Sequence, residues 1–263
     1  MYEFEIATPT NIADAVAALA EEDAQALAGG QTLIPSLKAR LAMPSRLVSL
    51  TRIPEMKGVC RADDGRLCIG GGTTHATVAA EAAEAFAGLA ALAGQIGDAA
   101  VRNRGTLGGS LANNDPSACY PPAVLATGAT ILTDRREIAA EDYFQGMFTT
   151  ALEEGEIIAE VRFPVPEASA DVKFAQPASR FALVGVFAAR FADGAARVAV
   201  TGASEGGVYR WREAEEALSE TWSPDAIAGL SAPAEGMIDD AHGSPAYRAH
   251  LVGVITRRAV AAA

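Results

Sequence analysis

The sequence is poor in the residues that hold inorganic redox centres. It contains three cysteines and three histidines among 263 residues. The cysteines form no C-x-x-C pair, so they do not supply the closely spaced thiolates of an iron–sulfur cluster, and the histidines do not complete a zinc ligand set. An odd number of cysteines is also a poor disulfide framework. Any redox chemistry of this chain is therefore predicted to use an organic cofactor and no metal site.

The sequence is also short of positive charge and of long apolar runs. Lys and Arg number 21 against 33 Asp and Glu, which gives a formal net charge of −12. This excess of negative charge argues against a nucleic-acid partner and against an anionic membrane surface. No run approaches the roughly 18 apolar residues of a spanning helix, and the N-terminal MYEFEIATP does not resemble a signal peptide. We expect a cytoplasmic protein without a membrane span.

The order of hydrophobic patterns predicts three structural units. Residues 1–53 alternate short strand and helix patterns in the order β-α-β-α-β. Residues 54–166 begin with a β-hairpin and end in strands. Pro164 and Pro166 mark a boundary, because prolines and polar residues interrupt the pattern there. Residues 170–263 are predicted to form three antiparallel strands followed by helices.

Local signals predict some elements within these units. Asp64-Gly65 is a hairpin turn signal, and the Ala-rich residues 75–96 are predicted to form one helix. Residues 101–122 are so rich in glycine, asparagine and proline that we expect a long loop there, and such loops are usually functional. Ser223-Pro224 and Ser244-Pro245 are typical of helix starts.

Two glycine pairs are candidates for binding phosphate. Residues 28–33 read AGGQTL and follow a predicted strand, and residues 106–110 read TLGGS. Glycine lets a pyrophosphate approach backbone N–H groups, and a helix starting at Leu33 would present its positive end to the first pair. Neither pair has the Rossmann or P-loop spacing, so a doubly wound nucleotide fold is not indicated. The alternative at each pair is a simple tight turn.

Two further features lie near these pairs. Residues 70–74 read GGGTT, but they follow a hairpin strand and precede a helix, so we expect Thr74 to cap the helix and leave this run out of the site. Arg102 and Arg104 flank Asn103 just before the second pair. In an acidic protein, a bound diphosphate or an acidic partner would explain this basic cluster, and so would a solvated surface turn.

Taken together, the glycine pairs and their flanks resemble the FAD-binding medium subunit of molybdenum hydroxylases, the family of carbon monoxide dehydrogenase and xanthine dehydrogenase flavoproteins. The resemblance implies an α+β protein, with a two-subdomain FAD-binding fold of the PCMH/vanillyl-alcohol-oxidase type and a C-terminal three-stranded antiparallel sheet with helices. It covers nearly the whole chain. It rests on AGGQTLIPSLKARLAMPSRLVSL (28–50), IGDAAVRNRGTLGGSLANNDP (96–116), FAQPASRFALVGVFAA (174–189), RVAVTGA (197–203) and AYRAHLVGVITRRAV (246–260).

The resemblance also implies how FAD is held. The two glycine pairs would bind the pyrophosphate through backbone N–H groups and neighbouring hydroxyls, and two isoleucines would pack on the flavin. Lys173 lies where the C-terminal unit approaches the isoalloxazine ring. The implied cofactor-binding residues are Ala28, Gly29, Gly30, Gln31, Thr32, Leu33, Ile96, Arg102, Asn103, Thr106, Leu107, Gly108, Gly109, Ser110, Asp115, Ile158 and Lys173.

Three positions depart from the family pattern. Gln31 stands in AGGQT where relatives often have AGGHS. Cys119 occupies a position where many relatives place an aspartate near the ribityl chain, and Asp115 would take over that hydrogen bond. Asp171 lies near the place where some relatives present a tyrosine to the flavin ring.

By the same resemblance, this chain transfers electrons and leaves substrate chemistry to its partners. A large subunit would hydroxylate the substrate at a molybdopterin centre, and a small subunit would pass electrons through two [2Fe–2S] clusters to the FAD. We expect a dimer of such heterotrimers, with quinone, NAD or oxygen as the final acceptor. Two alternatives remain at this point: a flavin-free assembly subunit of the same complex, and a stand-alone NADH-dependent flavin reductase.

Overall fold

The computed structural model describes residues 1–177 and 179–263. Ala178, which belongs to the resembling block 174–189, lies outside the described residues. The first unit forms a three-stranded parallel sheet in the order β1-β3-β2, which confirms the predicted β-α-β-α-β order. Its elements are β1 (Glu5–Ala7), α1 (Ile12–Leu19), β2 (Ala24–Leu27), α2 (Leu33–Lys38) and β3 (Arg46–Ser49), followed by 3-10 turns at Leu50–Arg52 and Pro54–Met56.

Local chemistry explains how the first unit folds. The side chain of Asn11 accepts a hydrogen bond from the Asp14 N–H at 2.8 Å and so caps α1. Ala15 and Leu19 then turn inward and pack on Val48 of the central strand. This small core fixes helix α1 on the sheet of the first unit.

The second unit contains a five-stranded antiparallel sheet in the order β4-β5-β10-β6-β7. The predicted hairpin is confirmed, because Gly65 has a φ of +84° and its N–H donates to the Ala62 carbonyl at 2.9 Å. The elements of this unit are β4 (Val59–Arg61), β5 (Leu67–Gly70), α3 (His75–Glu81), α4 (Ala87–Gly94), α5 (Ala99–Arg102), α6 (Leu107–Asn113), α7 (Tyr120–Thr127), β6 (Thr130–Thr133), β7 (Glu137–Ala139), α8 (Ala140–Tyr143), β8 (Phe144–Gly146), β9 (Thr149–Thr150) and β10 (Ile158–Phe163).

Two predictions for the second unit were wrong. Residues 75–96 form two helices, because the buried Phe86 turns into the core and interrupts the helical backbone with φ −151°. Residues 101–122 hold the end of α5, all of α6 and the start of α7. Gly108 and Gly109 lie inside α6, and the two prolines of α7 fall in its first turn, where a missing N–H does no harm.

The third unit is a four-stranded antiparallel sheet, not the three-stranded sheet predicted. The additional strand is β11 (Ala168–Ala175), whose polar alternation resembled an inter-domain boundary. The sheet order is β11-β12-β13-β14, with helices covering one face. The predicted helix starts at Ser223 and Ser244 are confirmed, because both hydroxyls accept N–H hydrogen bonds from the following turn. The remaining elements are β12 (Ala182–Arg190), β13 (Ala196–Thr201), β14 (Tyr209–Arg210), α9 (Arg212–Glu220), a 3-10 turn (Pro224–Ile227) and α10 (Pro245–Ala262).

The two faces of the third sheet belong to different cores. Val186 and Val200 pack with α9 and α10, whereas Phe187, Ala189 and Ala199 complete the core of the second unit. The second and third units therefore share a buried layer, and the division of the chain into residues 1–53, 54–166 and 170–263 stays a prediction. Within the described residues, no helix is long and apolar enough to cross a membrane.

Thr201 ties the third sheet to the segment that leads into α7. Its buried hydroxyl lies 2.8 Å from the Pro116 carbonyl and 3.0 Å from the Ala118 carbonyl, and the Gly202 N–H donates to Pro116 at 2.7 Å. These bonds hold the loop just before Cys119 against the end of β13.

We expect Thr201→Val to lower the free energy of unfolding by about 1–2 kcal/mol, because the Ala118 carbonyl loses the one donor it has among the described residues while the side-chain shape is kept. Urea unfolding followed by tryptophan fluorescence measures this. Thr149→Val makes the same chemical change at an exposed position of β9 and should have little effect. Equal effects of the two substitutions would contradict a special role for Thr201.

Candidate functional site

A cleft opens between the first and second units. It has a volume of about 240 Å³ and is bordered by both glycine-rich regions and by two basic side chains. Gly29 lies directly against the second region, since a Cβ built there would be 2.0 Å from the Arg104 carbonyl oxygen. Only glycine permits this approach. The residues that line the cleft are Ala28, Leu50, Thr51, Lys57, Gly72, Thr74, Asn103, Arg104 and Thr106.

The first glycine pair presents unused donors. Gly30 has a φ of +71°, which turns the chain sharply between β2 and α2. Among the described residues, no hydrogen bond within the protein uses the N–H groups of Gly30, Gln31 or Thr32. Thr32 also makes no side-chain cap to α2. Three free N–H groups in succession are donors available to an anionic oxygen group.

The backbone N–H groups around the second glycine pair are bonded within the protein, whereas the prediction had them bind the pyrophosphate. The Leu107 N–H donates to the Thr73 carbonyl at 3.0 Å, and the Gly108 N–H donates to the Gly71 carbonyl at 2.8 Å. The Gly109 N–H donates to the Thr106 hydroxyl oxygen at 3.1 Å. These three N–H groups are therefore not available to a pyrophosphate. The hydroxyl protons of Thr106 and Ser110 remain as donors, because no hydrogen bond among the described residues uses them.

The glycine run at residues 70–74, predicted to lie outside the site, borders the cleft. Gly72 and Thr74 line it, and the His75 N–H donates to the Gly105 carbonyl at 3.0 Å. Thr74 also caps α3 as predicted, since its hydroxyl accepts from the Thr77 N–H. Gly108 must be glycine because a Cβ there would lie 2.7 Å from the Gly71 carbonyl oxygen. The two runs thus pack backbone to backbone and form one wall.

The two arginines of the basic cluster, Arg102 and Arg104, have different roles. One guanidinium nitrogen of Arg102 donates to the Ile96 and Gly97 carbonyls, each at 3.0 Å, so this side chain holds a loop. The Asn103 amide donates to the Ala99 carbonyl at 2.7 Å. Arg104 is exposed on the cleft and makes no ion pair among the described residues. Arg104 is therefore the arginine placed to meet an anion in the cleft.

Lys173 reaches the same loop from the third unit. Its ammonium group donates to the Gln95 carbonyl at 3.0 Å and lies 3.5 Å from the Cys119 sulfur. Together with Arg102, it fixes three successive carbonyls, at residues 95, 96 and 97. The half-buried Ile96 is thereby presented at the junction of the second and third units.

Two titratable groups adjoin Lys173. Burial raises the pKa of the Cys119 thiol to about 11, the charge of Asp171 raises it further, and Lys173 works in the opposite direction. Burial also raises the pKa of the Asp171 carboxyl to about 7, against the opposing effect of Lys173. The thiol is neutral at physiological pH, whereas the carboxyl is close to the point where it changes charge. Asp115 lies before Cys119 in the chain and accepts a hydrogen bond from the Ser117 N–H at 2.8 Å.

Ile158, a predicted flavin contact, lies in the core of the second unit. Its side chain is 4% exposed. Its carbonyl oxygen lies 2.1 Å from where a Cβ of Gly71 would stand. Ile158 therefore supports the glycine wall from behind, and this placement gives no support to a direct flavin contact by its side chain.

The arrangement suits an elongated cofactor with an anionic middle. Ala28, Thr106 and Arg104 border the cleft, and the free N–H groups of residues 30–32 follow Ala28 in the chain, while Lys173 of the third sheet bonds the backbone next to Ile96. A diphosphate fits the first set, and a ring with polar edges fits the second. The fold and the site together define a protein that binds a dinucleotide cofactor outside a Rossmann framework.

Comparison with known proteins identifies the cofactor. Residues 2–166 match the model of the FAD binding domain in molybdopterin dehydrogenase. The chain is 35% identical to the nicotine 6-hydroxylase medium subunit of Paenarthrobacter nicotinovorans, over 97% of this chain and 95% of the relative. It is 32% identical to the carbon monoxide dehydrogenase medium chain of Afipia carboxidovorans, over 98% and 95%.

A solved structure agrees with these sequence matches. Reconstituted CO dehydrogenase from Oligotropha carboxidovorans superposes with a TM-score of 0.89 at 31% identity, covering 100% of this chain and 98% of the other. The chain therefore belongs to the family of FAD-binding medium subunits of molybdopterin dehydrogenases. The resemblance, the α+β fold class, FAD as the cofactor and the oxidoreductase assignment are confirmed.

Proposed function

We propose that this chain carries electrons from the [2Fe–2S] clusters of a small subunit, through its FAD, to an external acceptor. The substrate would be hydroxylated at a molybdopterin centre in a large subunit. Two such heterotrimers would form the complex, and its place would be the cytoplasm. The observation that carries the proposal is the run of three unused N–H groups that follows Ala28, which lines the same cleft as Arg104, in a chain of this family.

We assign the pyrophosphate to residues 28–33 and to the hydroxyls of Thr106 and Ser110. The free N–H groups and Arg104 would neutralise its charge. Ile96 and Lys173 would contact the ring, held in place by the carbonyl bonds described above. Of the seven remaining residues of the predicted set, Arg102, Leu107, Gly108 and Ile158 would act by shaping the wall, and Asn103, Gly109 and Asp115 stay predicted contacts.

Bound FAD supplies the exchange between one-electron delivery and two-electron release. The chain's own contribution is to bind, orient and tune. The glycine wall excludes side chains from the path of the diphosphate, and the Arg102 and Lys173 bonds fix the backbone beside the ring. The charge of Lys173 favours added negative charge in its neighbourhood.

One alternative keeps a specific motivation. A flavin-free assembly subunit would retain the fold while losing cofactor contacts, and Cys119 and Asp171 depart from the family pattern at the ring end. The unused N–H groups at the first glycine pair favour the flavoprotein, because a scaffold has no need of them. No observation on the described residues favours the NADH-dependent reductase.

The test is co-expression of the chain with the small and large subunits of its complex. The purified complex should contain one FAD per copy of this chain, measured by its visible absorption after extraction. Rapid bleaching of the flavin by substrate would establish electron transfer to this chain. A fully assembled, active complex without flavin would overturn the proposal and support the assembly subunit.

We expect Arg104→Ala to weaken FAD binding by about tenfold, equivalent to roughly 1.4 kcal/mol, because an exposed charge-assisted contact is lost. Fluorescence quenching of added FAD on the reconstituted apoprotein measures the change. Arg61→Ala, on the exposed strand β4, removes the same charge away from the cleft and serves as the control. Equal affinity of the two variants would place the diphosphate elsewhere.

A further inference from the structure

Strand β11 directs two charged side chains into the layer between the second and third units. In its register with β12, Asp171 stands opposite Phe187 and Lys173 stands opposite Gly185. Phe187 belongs to the core of the second unit, so Asp171 and Lys173 point toward α4 and the start of α7. Asp171 is only 8% exposed there. A carboxyl group thus sits inside a shared apolar layer.

Few groups in the protein offset the cost of burying the Asp171 carboxyl. Its Oδ2 atom is buried, and among the residues that the structure describes it has no hydrogen-bond partner and the carboxyl takes part in no ion pair. Buried carboxylates are normally paired or bonded to donors. The Lys173 ammonium compensates part of its charge through the field, while itself bonded to the Gln95 carbonyl and the Cys119 thiol.

The surrounding elements supply few other charges. Helix α4 contributes no titratable side chain, and β12 contributes Phe187. The start of α7 contributes the neutral Cys119 thiol and the buried Tyr120 phenol, with Asp115 further along the same loop. Helix α10, with Tyr247 and Arg248, packs on the opposite face of the sheet. The charge state of Asp171 therefore responds chiefly to what happens around Lys173.

We propose that Asp171 is a redox-linked proton-binding group, which takes up one proton from solvent when electrons reach the flavin beside Lys173 and Ile96, and releases it when they leave. The inference rests on the proposed placement of FAD. The geometry supports it. The Asp171 carboxylate lies in a poorly solvated layer and is stabilised by the positive charge of Lys173, and negative charge added near Lys173 offsets that stabilisation.

The balance of the step is simple. Two electrons come from the iron–sulfur clusters of the partner, or from dithionite in a titration, and reduce the flavin. In addition to the protons that the reduced flavin itself would take up from solvent, the Asp171 carboxylate gains one proton from solvent and becomes a neutral carboxylic acid. Because burial already raises the pKa of Asp171 to about 7, a moderate change in the local field suffices to change its protonation.

The test is a spectroelectrochemical titration of the FAD-loaded complex between pH 5.5 and 8.5, compared with Asp171→Asn. One additional proton taken up with two electrons steepens the potential by about 30 mV per pH unit. We expect this extra slope above pH 7 in the wild type, where Asp171 is ionised before reduction, and its absence in Asp171→Asn. Glu167→Gln removes an exposed carboxylate next to the same strand and should keep the extra slope.

Identical slopes in the wild type and Asp171→Asn, with FAD bound in both, would overturn this inference and leave the proposed function intact. Absence of FAD from the wild-type complex would overturn both. If Asp171→Asn does not fold, infrared difference spectra of the wild type decide the matter. A protonated carboxyl band that appears on reduction and shifts with aspartate isotope labelling supports the inference, and its absence overturns it.

Discussion

Gly29→Ala is expected to abolish tight FAD binding and to lower the free energy of unfolding by about 2–3 kcal/mol. The new Cβ would lie 2.0 Å from the Arg104 carbonyl oxygen and 2.7 Å from the Gly105 Cα. Both are backbone atoms, so no side-chain rotation relieves the clash. The two glycine regions must separate, which moves the free N–H groups of the first region away from Arg104.

Thermal unfolding with and without added FAD measures both effects. For a chain of this size, the expected loss corresponds to a Tm lower by about 5–10 °C, and the stabilisation by FAD should disappear. Gly94→Ala is the matched control, because this exposed helical glycine has only the Ala79 Cβ near it, at 4.0 Å. That substitution should be neutral or slightly stabilising. Wild-type FAD affinity in Gly29→Ala would contradict the close contact of the two regions.

Glu156→Gln is expected to destabilise the protein by roughly 3 kcal/mol at neutral pH and by much less in acid. The Glu156 carboxylate is buried and accepts two hydrogen bonds from Arg136, at 3.0 and 2.9 Å. The Thr133 hydroxyl and the Glu153 N–H donate to it at 2.7 and 2.8 Å. These bonds, that of Arg136 first, hold the pKa of Glu156 at about 2 despite burial.

The direction of the pH dependence follows from this lowered pKa. The ionised group is favoured in the folded state, so its stabilisation is complete above the unfolded pKa of about 4.3 and is lost as the pH falls toward 2. Urea unfolding at pH 7 and pH 3 should therefore show a smaller difference between wild type and Glu156→Gln at the lower pH. The control is Glu153→Gln, whose side chain is 60% exposed and should matter little. A difference that does not change with pH would contradict this account.

Short-range signals in the sequence predicted their elements well. The Asp64-Gly65 turn, the Thr74 cap and the Ser223 and Ser244 helix starts depend on bonds between residues two to four apart, and all are present. Strand β11 was not predicted, because its pattern depends on residues far away in the chain. Its polar residues are explained by a layer made with distant helices, which no local pattern contains.

The candidate site shows the same limit. The sequence indicated that residues 28–33 and 106–110 meet a phosphate, and for the first region the free N–H groups agree with that interpretation. For the second region the structure assigns the N–H groups to Gly71, Thr73 and Thr106. Arg102 and Arg104 look alike in the sequence, yet one holds a loop and the other faces the cleft.

The sequence by itself determined that this protein uses an organic cofactor, that it belongs to the FAD-binding medium subunits, and where its turns and caps lie. Composition and family motifs can be read directly from the sequence, and short-range hydrogen bonds depend only on residues close together in the chain. Only the tertiary structure decided which glycines lie in close contact with other backbone and, among the described residues, which N–H groups are unused and that the buried Asp171 Oδ2 lacks a donor. Those properties depend on atoms brought together from distant parts of the chain, because a donor is free or a Cβ excluded only with respect to what folding places beside it.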